Sequence, residues 1–383
     1  MDLYKHHQRV WKILYFILRP IVKNKFNADF EEIKVDGPIV LISNHVKTWD
    51  PLLLALALRN KQIYYVASEH IFRLGFISKI IEWLVGPIAR RKGASASDTT
   101  ANCLKHLHAG HSVCIFGEGE QSWDGLSKTV IKGTGRLVKE SNATLVTYKI
   151  IGAYFSLPRW ASKVRKGKVF GRVAGIYTKD DLKDKDVDEI NEIMNKDIFV
   201  DVWNDPLLKN IEYKSNLKAE KLERVLYLCP NCLKTNGLIS SGNHLRCNCG
   251  LDIEVKDDYR FSSNSPFLNI AEFESWQKKQ IRDFNFIKEN ENIFFYEDDA
   301  TLIEVLENHD KKFILEGRLS INQDNLYFED KVFPLLDISK MAMTRFSVLL
   351  FTYNNHYYQV KIEKEVNLRK YLEIWKKAHN KEW

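Results

Sequence analysis

The chain has 383 residues, of which 45% are hydrophobic and 28% are charged. This balance is typical of a folded globular protein of two or three domains, and it argues against a disordered, a fibrous or a polytopic membrane protein. The net charge of +7 is unevenly distributed: residues 1–179 carry 28 Lys and Arg against 13 Asp and Glu (+15), and residues 180–383 carry 29 against 37 (−8). A basic first half indicates an anionic partner, which a phosphate ester, a membrane surface or a nucleic acid would each satisfy.

The N-terminal segment contains an apolar run at residues 10–22, and no small-residue cleavage site of a secretory signal follows it. Lys12 and Arg19 interrupt the run, so it falls short of the roughly 20 apolar residues that span a bilayer. Two interpretations stay open for this segment. It is either a helix that packs on its own domain or an interfacial helix on a membrane surface.

The first 151 residues alternate between buried strands and helices. Within residues 36–44 a strand is predicted in the apolar run that follows Gly37-Pro38, and further strands are predicted at residues 63–67, 112–116 and 144–151. Helices are predicted at residues 51–58, 78–85, 98–109 and 133–141. Asp50 and Pro51 are predicted as the N-cap and first position of their helix. The alternation predicts an α/β domain, a mixed sheet flanked by helices, whose chemistry gathers where strands end and helices begin.

The second half has a different pattern. Residues 179–197 predict a solvated loop that enters a helix, residues 205–224 a mostly polar helical connection, and residues 268–288 a further helix. Short segments with a period near two follow at residues 301–306, 312–315, 318–321, 326–328, 332–335, 348–353 and 357–362. A helix is predicted over residues 366–379. The pattern predicts a mainly β domain, a small barrel or sandwich, closed by a C-terminal helix.

Four of the six cysteines are clustered between these halves. Cys229 and Cys232 form one short pair, and Cys247 and Cys249 form a second pair fourteen residues further on. Two such pairs can place four thiolates around one tetrahedral Zn²⁺, which favours a structural zinc ribbon over a pair of disulfides because no export signal is apparent. Four protein ligands leave no open coordination position, so catalysis at this metal is not expected. Cys103 and Cys114 lie in apolar segments and are predicted to be core residues.

A histidine and an aspartate follow the first predicted strand. His45 ends that strand and Asp50 comes five residues later. An Asp at this distance can turn back onto one ring nitrogen and leave the other as a general base. Because no Ser or Cys nucleophile has a matching context, the base would act on a hydroxyl of the substrate. The alternative is a capping Asp beside a surface His.

Two further segments have the residues of an anion site. Arg90 and Arg91 come directly after Gly86-Pro87, and guanidinium groups are suited to bidentate phosphate binding. Glu118 and Gly119 follow a buried strand, where glycine allows close backbone approach to an anion. The alternatives are a solvated basic turn and a simple strand–turn–helix junction.

In order and spacing, these residues resemble the 1-acylglycerol-phosphate (lysophospholipid) acyltransferase family. The first block of that family, His-x4-Asp, is matched by His45 and Asp50 with Asn44 before them, and the second by Gly86, Ile88 and Arg90. The third block, Phe-Pro-Glu-Gly-Thr-Arg-Ser, is matched by Phe116, Glu118, Gly119 and Ser122. The fourth, an apolar strand, is matched loosely by residues 145–151 and Pro158. The resemblance covers residues 10–200.

The resemblance implies acyl transfer from an acyl thioester, acyl-CoA or acyl-ACP, to a hydroxyl of a lysophospholipid such as 1-acylglycerol-3-phosphate. It implies that His45 is the general base and that Asp50 orients it. The substrate-binding residues it implies are Asn44, Arg90, Glu118, Gly119 and Arg91. It implies a cytoplasmic enzyme, peripheral on the inner face of the membrane.

The third block departs from the family pattern. Gly117 replaces the proline, Glu120 the threonine and Gln121 the arginine, so a positive charge is lost and a negative one gained. The cations that could compensate in this sequence are Arg91, Lys92, Lys128, Lys132 and Arg136. Gln121 also leaves open a catalytically silent lipid-associated scaffold.

The predicted domains are an acyltransferase domain at residues 1–224 with an N-terminal interfacial helix, a zinc ribbon at 225–256 and a helix plus antiparallel barrel-like domain at 257–383. In its order of strands and closing helix, the last is similar to pleckstrin-homology-like barrels. A nucleic-acid-binding ribbon is the remaining alternative. Few basic residues lie within 225–256 and no basic aromatic stripe appears, so no nucleic-acid partner is expected.

Overall fold

The computed structural model describes residues 3–68, 71–72, 75–90, 96–287, 295–306, 310–344, 346–362 and 367–380. The chain divides into two compact units, Met1–Ser215 and Asn216–Trp383. Each unit has its own sheet and core, and each is described by itself. The three-part division at residues 224 and 256 stays a prediction.

The first unit is built on a mixed sheet, as the sequence predicts. In the described part of the chain its strands are β1 (Ala28–Phe30), β2 (Ile39–Ser43), β3 (Ile63–Ser68), β4 (Ile88–Arg90), β5 (Ser112–Phe116), β6 (Thr144–Ile151) and β7 (Val169–Tyr177). Their order is β1-β7-β6-β2-β5-β3-β4. The run from β6 to β4 is parallel, whereas β7 is antiparallel to β6 and parallel to β1. The α/β domain with a mixed sheet is therefore confirmed.

Helices pack on this sheet because its central strands are largely apolar and buried. Their bounds are α1 (Leu3–Lys25), α2 (Asp50–Ala55), α3 (Phe76–Val85), α4 (Ala96–His108), α5 (Gly133–Ser141), α6 (Ala153–Ser156), α7 (Lys179–Leu182) and α8 (Val187–Ile198). Every residue of β2 is buried. Val40 and Ile42 share a core with Leu107 of α4, Leu137 of α5 and Met194 of α8. A strand buried in this way has an apolar run rather than an alternating pattern.

Helix α1 is amphipathic and rests on the unit through a few anchors. Trp11 and Val22 are buried, and the Trp11 indole N–H donates to the Leu58 carbonyl at 3.1 Å. Its opposite face is apolar too, with Phe16 82% exposed. Helix α3 contacts α1 and exposes Phe76 and Trp83. Among the described residues, no helix combines the length and apolar character that crossing a bilayer requires.

The parallel run of strands directs several loops to one edge. Ser43, the last residue of β2, pairs in register with Phe116, the last residue of β5, and with Tyr148 of β6. Arg90 ends β4 in the same direction. Because the carboxyl ends of parallel strands meet at one edge, the loops after β2, β5 and β6 converge there, at the same edge as Arg90. These loops contain the predicted site residues.

The second unit combines two antiparallel sheets. The smaller has the order β10-β9-β8, from β8 (Leu238–Ser241), β9 (His244–Cys247) and β10 (Asp252–Glu254). The larger has the order β14-β13-β12-β11-β17-β16-β15. Its strands are β11 (Tyr296–Val305), β12 (Lys311–Ile321), β13 (Asn325–Phe328), β14 (Lys331–Pro334), β15 (Ile338–Thr344), β16 (Val348–Tyr353) and β17 (His356–Ile362). Helices α9 (Ile270–Arg282) and α10 (Arg369–Ala378) complete the unit. The mainly β character is confirmed, and the likeness to pleckstrin-homology barrels stays a prediction.

Several predicted elements differ from the observed ones. Residues 205–224 were expected to be helical but form only two short 3-10 turns, Pro206–Leu208 and Leu222–Arg224, because their buried side chains are isolated anchors rather than one apolar face. The strands predicted at 312–315 and 318–321 are one strand, β12, because Gly317 pairs with Ala300 without a break. The strands β1, β4, β7, β8, β9, β10 and β15 were not predicted.

Candidate active site

His45 is held at the carboxyl edge of the sheet by contacts on three sides. Its Nδ1 lies 2.7 Å from Asp50 Oδ2, and its ring stacks on Phe116 with 4.4 Å between centroids. Its backbone N–H donates to Glu118 Oε1 at 2.8 Å. The Asp50 side chain is fully buried and that of His45 is 19% exposed. Bonding to Asp50 fixes the proton on Nδ1, which leaves Nε2 as the basic nitrogen.

Asp50 turns back over the loop that precedes it. Besides His45, its Oδ2 accepts the backbone N–H groups of Val46 at 2.5 Å and Lys47 at 2.8 Å. The predicted capping role is wrong, because α2 begins at Asp50 itself, with Trp49 at the N-cap position. The carboxylate therefore organises residues 45–47 instead of capping a helix. The structure brings together the two residues predicted as base and orienting acid.

Glu118 is a buried link between two loops. Oε1 accepts the N–H of His45 and Oε2 accepts the N–H of Lys128 at 2.7 Å. Burial raises the pKa of this carboxyl to about 8, although the two backbone N–H groups favour ionisation. Both oxygens are thus directed at backbone, and Glu118 positions the main chain of His45.

Asn44 has a comparable place one residue earlier. Its amide nitrogen donates to the Ile150 carbonyl at 2.9 Å, and its amide oxygen accepts the Ile150 N–H at 2.7 Å. The side chain is 2% exposed. It therefore ties the end of β2 to the end of β6, where the sequence had predicted a substrate contact.

Gly119 and Arg90 meet beside this link. Gly119 has a φ of +68°, in the left-handed region that favours glycine, and a Cβ there would lie 3.0 Å from Arg90 Nη1. The guanidinium consequently lies against the glycine backbone. Of the predicted substrate-binding residues, Arg90 and Gly119 are the ones that form a surface at this edge. Arg91 and Lys92 lie outside the described residues.

Gln121 lies next to the imidazole, and Glu120 before it is the centre of a cluster of charges. Gln121 Nε2 lies 3.5 Å from His45 Nε2. Glu120 Oε1 lies 2.7 Å from Lys128 Nζ, 3.1 Å from the Trp123 indole nitrogen and 3.7 Å from Arg159 Nη1. The carboxylate that this chain adds to the third block is therefore surrounded by donors and two cations.

Sequence reasoning missed two residues at this edge, Lys47 and Arg159. Lys47 Nζ donates to the carbonyls of Pro158, Arg159 and Ala161, each at 2.9 Å. Arg159 Nη1 donates to the Gln121 carbonyl at 2.7 Å. A lysine inside the His-x4-Asp block was visible in the sequence, but nothing local indicated that it holds a loop more than a hundred residues away.

The four clustered cysteines form a separate site in the second unit. Cys229 Sγ lies 3.5 Å from Cys249 Sγ, Cys232 Sγ lies 3.7 Å from Cys247 Sγ, and all four sulfurs are within 4.8 Å of one another. Four thiolates at about 2.3 Å around a tetrahedral ion stand about 3.8 Å apart. Backbone N–H groups of Asn231 and Leu251 point at the sulfurs of Cys229 and Cys249. The donor set fits one metal ion.

Two comparisons with known proteins concern the first unit of the chain. Residues 25–151 match the protein-family model described as Acyltransferase. The matched segment contains His45, Asp50, Arg90, Glu118 and Gly119 and ends before Arg159. Among solved structures, the chain is similar to the crystal structure of the 1-acyl-sn-glycerophosphate (LPA) acyltransferase PlsC from Thermotoga maritima. The two are 16% identical with a TM-score of 0.40, over 51% of this chain and 77% of that one. The family match therefore lies within the first unit and includes the His45–Asp50 pair.

Proposed function

We propose that the first unit transfers a fatty acyl group from an acyl thioester to a hydroxyl of a lysophospholipid such as 1-acylglycerol-3-phosphate. The observation that carries this proposal is the His45–Asp50 pair. The carboxylate bonds Nδ1 at 2.7 Å and leaves Nε2 at the edge where the loops converge. The family match over residues 25–151 supports the acyl transfer itself.

In the proposed mechanism, His45 Nε2 takes the proton of the acceptor hydroxyl while that oxygen attacks the thioester carbonyl. The tetrahedral intermediate collapses, the carbon–sulfur bond breaks, and the proton on Nε2 passes to the departing sulfur. Asp50 holds the imidazole and stabilises its protonated form. The products are an ester and a free thiol of coenzyme A or acyl carrier protein.

Asn44 and Glu118 act in this proposal as positioning residues. Asn44 fixes the main chain before His45 by bonding the backbone of Ile150. Glu118 fixes the main chain at His45 itself by accepting the N–H groups of His45 and Lys128. Arg90, against the backbone of Gly119, binds the anionic end of the acceptor. Guanidinium suits this role because it binds phosphate oxygens in pairs.

The proposal is tested by an acyl-transfer assay with acyl-CoA and acyl-ACP as donors and a panel of lysophospholipids, read by mass spectrometry. We expect His45→Ala to lower kcat about 10²- to 10⁴-fold, the usual contribution of a general base. Asp50→Asn should lower kcat similarly while leaving KM within about threefold, because it changes the imidazole tautomer rather than binding.

His356→Ala is the matched control for this assay. His356 also bonds a carboxylate through Nδ1, at 2.6 Å from Glu304 Oε1, but it lies in the second unit. Its loss should leave acyl transfer unchanged. Equal rates in the wild type and His45→Ala would refute the mechanism. No transfer by either protein would favour the alternative, a catalytically silent lipid-associated scaffold, which the contact of Gln121 with His45 Nε2 supports.

We propose that the chain works at the inner face of a membrane as a peripheral protein. Helix α1 contains no acidic residue, and its exposed basic residues flank an exposed apolar face with Phe16 at its centre. This combination fits an anionic lipid surface, where apolar side chains enter the headgroup region and basic ones neutralise it.

We propose that the ion held by Cys229, Cys232, Cys247 and Cys249 is a structural Zn²⁺. The sulfur separations and the all-thiolate donor set favour Zn²⁺ over hard cations, which prefer oxygen ligands. When bound, the ion would link the segment before β8 to the end of β9.

A further inference from the structure

Arg159 reaches the active-site edge from outside the family-matched segment. It follows β6 and the short helix α6, and its side chain is 18% exposed. Its Cζ lies 3.6 Å from the centre of the Trp123 ring, and Nη1 donates to the Gln121 carbonyl at 2.7 Å. Ring stacking and a carbonyl bond fix the plane of the guanidinium, which is the arrangement that arginine needs for oriented anion binding.

Lys47 explains why the loop of Arg159 lies here. Its ammonium donates to three carbonyls of that loop, those of Pro158, Arg159 and Ala161. The Lys47 N–H also donates to Asp50. One turn, residues 45–50, therefore sets both the base His45 and the loop of Arg159, so the two side chains are positioned by the same element.

Two cations and one carboxylate form the charged cluster around Arg159. Arg159 and Lys128 share one carboxylate, the half-exposed Glu120, so the three side chains together carry one net positive charge. Gln121 lies between this cluster and the proposed base. Its backbone carbonyl accepts a hydrogen bond from Arg159, and its side-chain nitrogen lies 3.5 Å from His45 Nε2. A guanidinium presents five N–H donors in a rigid planar fork, a geometry that matches phosphate oxygens.

We propose that Arg159 binds the phosphate of the acceptor together with Arg90 in this chain, supplying the guanidinium that Gln121 removes from the third block. The proposal rests on the proposed function. Among the other cations considered from the sequence, Arg136 bonds Glu140 of its own helix at 2.7 Å. Within the described ranges, the guanidinium of Arg159 contacts residue 121 itself.

The test separates phosphate recognition from catalysis. KM and kcat are measured for Arg159→Gln with lysophosphatidate and with monoacylglycerol, which lacks the phosphate, in the same mixed micelles. We expect KM for lysophosphatidate to rise about ten- to hundredfold, as for the loss of a charged hydrogen bond, with kcat within about threefold. The monoacylglycerol rate should stay within about twofold, and Arg159→Lys should recover part of the affinity.

Arg59→Gln is the control, because Arg59 is exposed near the opposite edge, between α2 and β3. The pair Arg159→Gln with Gln121→Arg should restore the KM for lysophosphatidate. An equal loss on both acceptors would assign Arg159 a structural role, and an unchanged KM for lysophosphatidate would also overturn the proposal.

A binding measurement keeps this proposal independent of the proposed function. Binding of sn-glycerol 3-phosphate to the full chain is followed by phosphorus NMR line broadening, with the wild type beside Arg159→Gln. We expect affinity to fall about tenfold or more in the variant. Equal binding overturns the role of Arg159, whereas a wild type that binds the phosphate but transfers no acyl group overturns only the proposed reaction.

Discussion

Glu118 shows how one buried side chain can organise the site without touching substrate. Its oxygens accept N–H groups from His45 and Lys128, whose loops follow different elements. At 7% exposure the carboxyl is poorly hydrated, which raises its pKa to about 8. The charge of Glu118 is therefore a source of pH dependence in the stability of the first unit.

Replacing Glu118 by Gln is predicted to change how stability depends on pH. From about pH 4.5 to about pH 8 the folded state keeps a proton on Glu118 that the unfolded chain has released, so the free energy of unfolding falls as pH rises, by up to about 1.4 kcal/mol per pH unit. Glu118→Gln lacks this titration. Urea unfolding of the first unit, read by hydrogen exchange in β5, should show the wild type losing about 1–3 kcal/mol relative to the variant between about pH 5.5 and pH 7.5.

The exposed Glu192→Gln serves as the control for this titration, since it should follow the wild type across the same range. A difference between wild type and Glu118→Gln that stays constant with pH would contradict the raised pKa of Glu118. It would leave the two backbone bonds as the whole effect of the side chain.

At the residue scale, the sequence could predict only contacts that are local along the chain. His45 and Asp50 are five residues apart, and their pairing follows from a strand end and a tight loop. Lys47 and the carbonyl of Arg159 are 112 residues apart, and no periodicity encodes a bond between them. The same limit applies to Asn44, whose partner Ile150 became visible only once β2 and β6 were neighbours.

At the scale of elements, α1 and α3 share a property that folding alone does not explain. Phe16 of α1 is 82% exposed and Phe76 of α3 is 77% exposed, although the two helices contact each other. Exposed apolar side chains on neighbouring helices mark an interaction surface rather than a core. The sequence left two interpretations of the N-terminal helix, one packed on its domain and one interfacial. Helix α1 fits both, because it packs through Trp11 and exposes Phe16.

Phe16→Ser combined with Ile17→Ser is predicted to weaken membrane binding without unfolding the protein, because both side chains are exposed. Cosedimentation with vesicles of phosphatidylcholine and phosphatidylglycerol should show a drop of about tenfold or more in affinity, as expected for two large apolar groups. The wild type should bind vesicles of phosphatidylcholine alone more weakly than vesicles that also contain phosphatidylglycerol, because α1 is basic.

The matched control in the vesicle experiment is Phe199→Ser. Phe199 is 51% exposed in the same unit but lies outside both helices, directly after α8. Its substitution should leave vesicle binding at the wild-type value. If the double variant of α1 bound as tightly as the wild type, the exposed face of α1 would have no role at the membrane.

The predicted elements succeeded where a pattern is continuous and failed where tertiary contacts decide. The buried strands β2, β5 and β6 are short apolar runs bounded by turns, and they were predicted nearly to their ends. Strand β7 has glycines at positions 171 and 175, each in close contact with other side chains. Because glycine is uncommon inside strands, this segment carried no strand signal. Residues 205–224 are held by isolated buried anchors such as Leu208 and Tyr213, which give no periodic signal.

At the scale of the whole molecule, the cysteine cluster is continuous with the core of the second unit. Tyr227 and Leu228 directly precede Cys229, and both lie in the apolar cluster formed by the seven-stranded sheet and α10. The Tyr227 N–H also donates to Gln277 of α9 at 3.0 Å. The segment that would bind the metal therefore shares its packing with the β domain. The sequence, in contrast, predicts the ribbon and the β domain as two separate modules.

Removal of the metal is predicted to destabilise the whole second unit instead of one small loop. The full chain, reduced and zinc-loaded, is heated with and without a chelator while hydrogen exchange follows β11 and β17. Because Cys229 adjoins buried Leu228, we expect these strands to lose protection at a lower temperature, by about 2–4 °C per kcal/mol of lost binding energy. Cys232→Ser should bind less than one ion per chain and behave like the chelated protein, whereas Cys103→Ala, outside the cluster, should keep its zinc. Unchanged protection of β11 and β17 after complete zinc removal would show that the ribbon folds apart from the β domain.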